Sequence, residues 1–506
     1  MVDYGMTQIF KLIKHLIREY WIYLILFLLI FIPVFGFLNV LPIRLWDESR
    51  LTINALEMLQ NHNFIVTYFD GKPDLWNTKP PLMIWIQVFF IKLFGINEVA
   101  IRLPSAFSAF FTVILIMIFS EKYFNSKLLG FIWSMVLITS HGYINVHSTR
   151  TGDYDAMLTF FTFAYIIFFY LFAVERKYKY LYFGFITLTL AVLTKGIAGM
   201  FFTPVVLLFL IIYLKKDFIK LLKNKHLYFN IFIFIFFGLG YYLLRELYNP
   251  GYLKAVKDNE LGGRFLKIIE KHHHGFWYYF NNFIHFQLKY WYLYVIPGII
   301  LGISSKINKI KVFSVYIFFN LIFVFIIIST AKTKLEWYDV PLYPLITFFI
   351  AYFIYFVVNF IRKSSYIKKR FKYVNIIVIV VLFLFFAKPY THILNKTYKP
   401  EEYPWDKDNY EIGYLLKDAV KGKIELNNIK YFETEYHAQN LFYIKTLQNK
   451  GVNIKDVSLN DLEVNDKVLI PRKKDIRKVK RKFEITPVFS AHNVNIYKIN
   501  SKNEKN

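Results

Sequence analysis

Apolar residues in this chain come in long unbroken runs, and each run stops abruptly at a short charged segment. Such runs lie near 21–40, 103–120, 128–146, 156–174, 180–194, 197–214, 227–244, 285–303, 312–330, 341–360 and 374–388. In lipid only a helix satisfies its own backbone polar groups within one segment, so the pattern predicts an all-α polytopic membrane domain of about eleven or more transmembrane helices. A membrane β-barrel would alternate apolar and polar positions instead. No clear break divides any run at its middle, as the half-helices of many transporters would.

After Lys388 the chain turns polar and mixes amphipathic stretches, such as 410–421, with short apolar runs, such as Lys467–Ile470. Residues 389–506 are therefore expected to form a small soluble α/β domain entered through a linker near 396–404. Residues 1–388 form the membrane domain, which includes two long loops, 42–101 and 245–290.

Charge adds an orientation. Lysine and arginine crowd the short segments 121–127, 175–179, 215–225, 306–311 and 362–372, which the positive-inside bias assigns to the cytoplasm. Lys11, Lys14, His15 and Arg18 before the first run read as a signal anchor with no small-residue cleavage site after it. Alternation then sends both long loops and the C-terminal domain to the extracytoplasmic side of a cell membrane. This topology and a lysine-rich coding bias account for the net charge of +27, so no nucleic-acid partner is expected. A content of 56% hydrophobic residues excludes a string of ordinary soluble domains. With no cysteine in the chain, disulfides and thiolate chemistry are excluded too.

The polar residues that stand out are all on the outward face. Asp47 and Glu48 follow the first run, and Lys79 lies in NTKPPL, where two prolines hold the lysine extended before the next helix. Asp153 and Asp155 precede the run at 156–174, and Lys195 ends the run at 180–194. Cations facing acids at a membrane surface suit a lipid-linked phosphate, although interfacial lysines also snorkel and terminal acids also favour a helix dipole. Arg102 fits a structural ion pair as well as a ligand. Tyr338 and Tyr343 occupy an aromatic-belt position. The triplet His272, His273 and His274 lacks usual metal-ligand spacing and reads as a hydrated loop.

Several phrases occur here in the order of a known family: WDESRLTINALEM, TKPPLMIWIQ, FGINEVAIRLPSAF, HSTRTGDYDAMLTFF, LTKGIAG, NELGGRF and KTKLEWYDVPLYP. The chain resembles the polyprenyl-phosphate-sugar-dependent membrane glycosyltransferases of GT-C fold, within them the protein O-mannosyltransferase-like group that includes the lipid A aminoarabinose transferases. The resemblance implies an inverting transfer of a sugar from a polyprenyl phosphate to an extracytoplasmic acceptor such as lipid A, an envelope glycan or a protein. Asp47 matches the acceptor-side acid and is implied as general base, with Glu48 as a substitute or assistant. Asp155 fits the second recurrent acid. Asp153 becomes an N-terminal cap or a partner of Arg150, because residues two apart on a helix point to nearly opposite sides. Lys79, Arg264 and Lys195 are implied as cations for the donor phosphate, with Asp153, Arg102, Tyr338 and Tyr343 as further substrate-binding candidates. Loop 245–290 is expected to close over the donor. Some members carry a metal-associated glutamate before the KPP lysine, but here that position is Thr78, so no metal is assigned. A flippase or transporter of lipid-linked sugars is the alternative from another class.

Overall fold

The computed structural model describes residues 2–261, 265, 268, 272–370 and 373–503. Among these, seven helices are long and apolar enough to cross a bilayer, and an eighth span arises if a bent pair is counted as one. Three further apolar helices are shorter, Leu82–Phe94, Lys127–Ile138 and Thr203–Leu214, while the first helix, Val2–Phe35, runs through most of the first expected span. Two of the short helices fall on expected spans; at 1.5 Å per residue each of the three covers less than a bilayer core of about 30 Å.

Burial ranks the spans. The helix Asp155–Glu175 is the central one, with 78% of its most apolar window buried, whereas Lys225–Tyr248 and Val374–Tyr398 bury only 22% and leave their apolar side chains to lipid. Local signals fix several ends. Asn97 accepts from the Ala100 amide at the start of Glu98–Phe124, and Asn125 ends that helix in the left-handed region (φ 54°). Ser126 then caps Lys127–Ile138 by accepting from Leu129 N.

Two features depart from the expectation of unbroken spans. Phe234–Leu239 is a π-helical turn inside the segment Lys225–Tyr248. Tyr278–Gln287 and Tyr292–Ile303 meet at 118°. A π-turn needs no proline and leaves the hydropathy pattern intact, which is why neither break stands out in the sequence.

The C-terminal part is a five-stranded sheet in the order Ile454–Asp456, Ile429–Tyr431, Lys467–Ile470, Val494–Lys502, Phe483–Ala491. The first three strands are parallel, and the last two form an antiparallel hairpin joined to them. This domain is not an appendage. Ile53, Leu56 and Ile84 of the 42–101 loop share one apolar core with Leu415, Leu441 and Ile444. The Tyr443 hydroxyl accepts from Ile43 N at 2.9 Å and donates to Glu98 at 2.8 Å. Lys417 pairs with the same glutamate at 3.2 Å. The membrane helix before the domain runs on to Tyr398, ten residues beyond Lys388.

Close packing inside the bundle depends on small residues. A Cβ on Gly298, in the second arm of the bent pair, would lie 2.1 Å from the Phe349 carbonyl oxygen of the helix Tyr343–Lys363. Gly298→Val is expected to destabilise the fold by about 1–3 kcal/mol, read as a lower unfolding midpoint in detergent, while valine at the open Gly275 leaves the midpoint within error.

Candidate functional site

The site starts from one buried carboxylate. Glu48 sits at the second position of the helix Asp47–Asn61, and its two oxygens accept from Arg102 Nε (2.7 Å) and Nη2 (2.9 Å), Arg44 N (2.8 Å) and Gly152 N (2.9 Å). The Arg102 guanidinium is completed by the carbonyls of Leu38, Leu41 and Pro42. Burial opposes the charge on Glu48, yet Arg102 and the two amides hold its carboxyl below the usual carboxylate range. Glu48 and Arg102 therefore serve each other and do not line the cavity that Asp47 lines, so of the two readings open for Arg102 the geometry shows the ion pair. Asp47, one residue earlier, is half-exposed and lines it.

The second wall is the segment before Lys79. Asp74 is held by Arg50 through two bonds of 2.9 and 2.6 Å, and its carboxylate accepts from Asn54 and from the amides of Trp76 and Asn77. Asn77 also bonds Asn54 and accepts from Tyr154. With Pro80 and Pro81 following, Lys79 is thereby aimed into the cavity, 3.3 Å from Glu260 and over the Tyr154 ring. Thr78 donates to the same glutamate. Arg264 lies outside the described residues, as does part of loop 245–290.

The third wall holds the aspartates. The helix begins only at Asp155, so Asp153 lies before it and the opposite-sides argument does not apply: both aspartates line the cavity. Asp155 accepts two bonds from Lys195 Nζ, of 2.6 and 2.8 Å, and that ammonium lies over the Tyr338 ring. Asp153 accepts from Thr151 and stands 3.1 Å from His147 Nδ1. Its expected partner Arg150 instead reaches the carbonyls of Pro33, Val34 and Gly36 at the end of the first helix. Tyr338 lines the cavity, whereas Tyr343 is buried, donates to Gln287 and does not.

These walls enclose about 1300 Å³ of space open to the outside. Its polar end carries Asp47, Lys79, Asp153, Asp155 and Lys195, and its other wall is apolar, from Phe201, Phe202, Val324, Ile327 and Ile328. The sequence reading missed His147. It adopts φ 59°, stacks on Trp337 with ring centroids 3.6 Å apart, and lies 3.9 Å from Asp47. Burial disfavours its charge, but Asp153 and then Asp47 outweigh burial and raise its pKa above the ordinary histidine value. Asp47, His147 and Asp153 bring one ligand atom each within 4.8 Å of one another, so a cation would find its donors there rather than at Thr78. A lone histidine before an arginine gave no signal of this. His274, from the triplet, stacks on Tyr278.

Fold and cavity together define a polytopic helical membrane protein with a small C-terminal sheet domain. Residues 78–242 match the family model described as dolichyl-phosphate-mannose-protein mannosyltransferase. The chain is 28% identical over 338 residues to an uncharacterised protein of Aquifex aeolicus (strain VF5), covering 65% of this chain and 64% of that one. It is 26% identical to the undecaprenyl phosphate-alpha-4-amino-4-deoxy-L-arabinose arabinosyl transferase of Wigglesworthia glossinidia brevipalpis, covering 61% of this chain and 54% of that one. The chain thus spans less than two thirds of the length of these relatives. The crystal structure of ArnT from Cupriavidus metallidurans bound to undecaprenyl phosphate superposes with a TM-score of 0.69 at 14% identity, covering 94% of this chain and 98% of that one; this likeness is one of fold.

Glu48→Ala leaves the buried Arg102 without its carboxylate and is expected to cost about 3–5 kcal/mol, read by unfolding in detergent. A fully stable but inactive Glu48→Ala protein would instead place Glu48 in the chemistry.

Proposed function

We propose that this protein is an inverting glycosyltransferase that takes a sugar from a polyprenyl phosphate, undecaprenyl phosphate in a bacterium, and passes it to an acceptor on the extracytoplasmic side of the inner membrane. The observation that carries this reading is one cavity whose polar end sets the half-exposed Asp47 with Lys79 and Lys195 and whose other wall is apolar. A lipid-linked phosphate needs all three surfaces. The relative solved with undecaprenyl phosphate bound has the same fold, and the arabinosyl transferase relative is named for such a donor.

In this mechanism Asp47 accepts the proton of the acceptor hydroxyl as its oxygen attacks the anomeric carbon. The bond from that carbon to the phosphate oxygen breaks, and its electron pair leaves on the phosphate. Inversion follows from this single displacement. Lys79 meets the growing negative charge in a partly dry cavity, where a fixed cation stabilises it better than water does. Glu260, 3.3 Å from Lys79, gives way to the phosphate as the counter-charge. Asp155 positions Lys195 by accepting from its ammonium through both carboxylate oxygens, and N–H groups of that ammonium not engaged there are left for the donor. Asp153 and His147 brace Asp47. The lipid tail lies along the apolar wall among membrane lipids. The donor sugar and the choice among lipid A, an envelope glycan and a protein as acceptor are set by groups beyond these.

The breaks at 118° and at the π-turn speak for the alternative, a carrier of lipid-linked sugars. Neither arm of the bent pair lines the cavity, however. Membranes carrying the native protein are offered radiolabelled polyprenyl-phosphate sugars beside Asp47→Asn and Lys79→Ala variants of equal expression. Label is expected to leave the lipid only with native protein, and each variant to lose about 10²–10⁴-fold in rate. Label that crosses the bilayer still on its lipid would replace the transferase with the carrier.

A further inference from the structure

A second cavity, of about 600 Å³, lies beside the end of the first helix and shares no lining residue with the one described above. Its walls carry four cations, Arg44, Arg102, Arg150 and Lys396, against the carboxylate of Glu401. Arg102 is already neutralised by Glu48. Lys396 lies 3.6 Å from Glu401 and 3.1 Å from His141 Nε2, at the half-buried rim.

The other two arginines have no carboxylate within ion-pair distance among the described residues. Arg44 is buried, donates to the Tyr410 hydroxyl and the Glu401 carbonyl, and lies over the Tyr403 ring. Arg150 donates only to carbonyls at the end of the first helix. Those carbonyls favour a cation, but they supply no full negative charge. Burial and the nearby Arg102 together press the Arg150 pKa down to about 9, the mark of a cation short of counter-charge. His141, facing Lys396, is held neutral by burial and by that lysine, its pKa down to about 3, so it adds no further positive charge. Buried cations without partners are costly, and an anion that enters would relieve them.

The surroundings indicate where such an anion comes from. The cavity opens where the first helix and Val374–Tyr398 end side by side, joined by the Tyr390 hydroxyl on the Leu29 carbonyl and by Phe37 against Tyr398. Both helices leave large apolar side chains exposed, among them Leu28, Phe31, Phe383 and Leu384. Phe37, Leu38 and Leu41 continue that apolar surface into the cavity. Arginine forks in such a setting match phosphate oxygens in pairs.

The geometry points to a second oxyanion-binding site, separate from the cavity of Asp47 and Lys79, in which Arg44, Arg150 and Lys396 hold a phosphate group at the membrane edge. The full chain, delipidated in detergent, is titrated with inorganic phosphate and, in parallel, reconstituted in phosphatidylcholine nanodiscs containing phosphatidylglycerol. Bound phosphate is read by phosphorus NMR and retained lipid by native mass spectrometry. Lys396→Gln, at the rim, and Arg150→Gln are each expected to weaken binding about tenfold, with Lys79→Ala leaving the Lys396-dependent fraction intact. Dependence on Lys396 in the nanodisc arm alone assigns the site to a lipid headgroup; dependence in both arms assigns it to phosphate in general. Should Arg150→Gln fail to fold, Arg150→Lys keeps the charge and is expected to weaken binding less than Lys396→Gln does. Binding that ignores Lys396 and Arg150, or is lost only with Lys79→Ala, overturns the site, as does no binding in either arm.

Discussion

The ion pair between Glu48 and Arg102 is the constraint on which the remaining geometry rests. One carboxylate, fully buried, ties together the turn before Asp47, the long helix Glu98–Phe124 and the segment that delivers Asp153 and Asp155. Neither charge could be buried without the other. Because Glu48 is pulled inward, Asp47 is left at the rim, and because Gly152 N is held by the same carboxylate, the two aspartates arrive opposite it. A Cβ on Gly152 would come within 2.5 Å of the Ile101 side chain and 2.8 Å of its carbonyl oxygen, so the approach also depends on that residue having none.

A second layer of support comes from the C-terminal domain. Its helix Ala438–Asn449 packs on Asp47–Asn61 in a common core, and Tyr443 and Lys417 both engage Glu98 at the start of the helix that carries Arg102. Tyr436 stacks on Trp46 with centroids 5.0 Å apart, immediately before Asp47. The domain that follows the last membrane helix thus braces the loop after the first one, which carries Asp47.

Much of this was legible in the sequence, and the reasons differ by residue. Asp47, Lys79, Asp153, Asp155, Lys195 and Tyr338 were singled out because they fall at the outward ends of apolar runs or in loops beside them and within phrases that resemble a known family, and all six line one cavity. Hydropathy also conveyed the helical membrane part and the small C-terminal sheet domain. Pairings were not legible: Arg102 meets Glu48 across 54 positions and Lys195 meets Asp155 across 40, distances at which no local pattern speaks. His147 owes its place to a left-handed backbone and to Trp337 from a distant helix, neither of which its neighbours in sequence announce. Hydropathy does not register where a helix ends inside an apolar run: Lys127–Ile138 stops after twelve residues of the run at 128–146.

The proposed transfer is a single displacement by an acceptor oxygen whose proton goes to Asp47. The most direct test is the anomeric configuration of the transferred sugar, determined by NMR on the purified product and compared with that of the donor. Inversion at the anomeric carbon is the predicted result. Retention would require a covalent sugar intermediate or a second displacement, and would contradict the role given to Asp47.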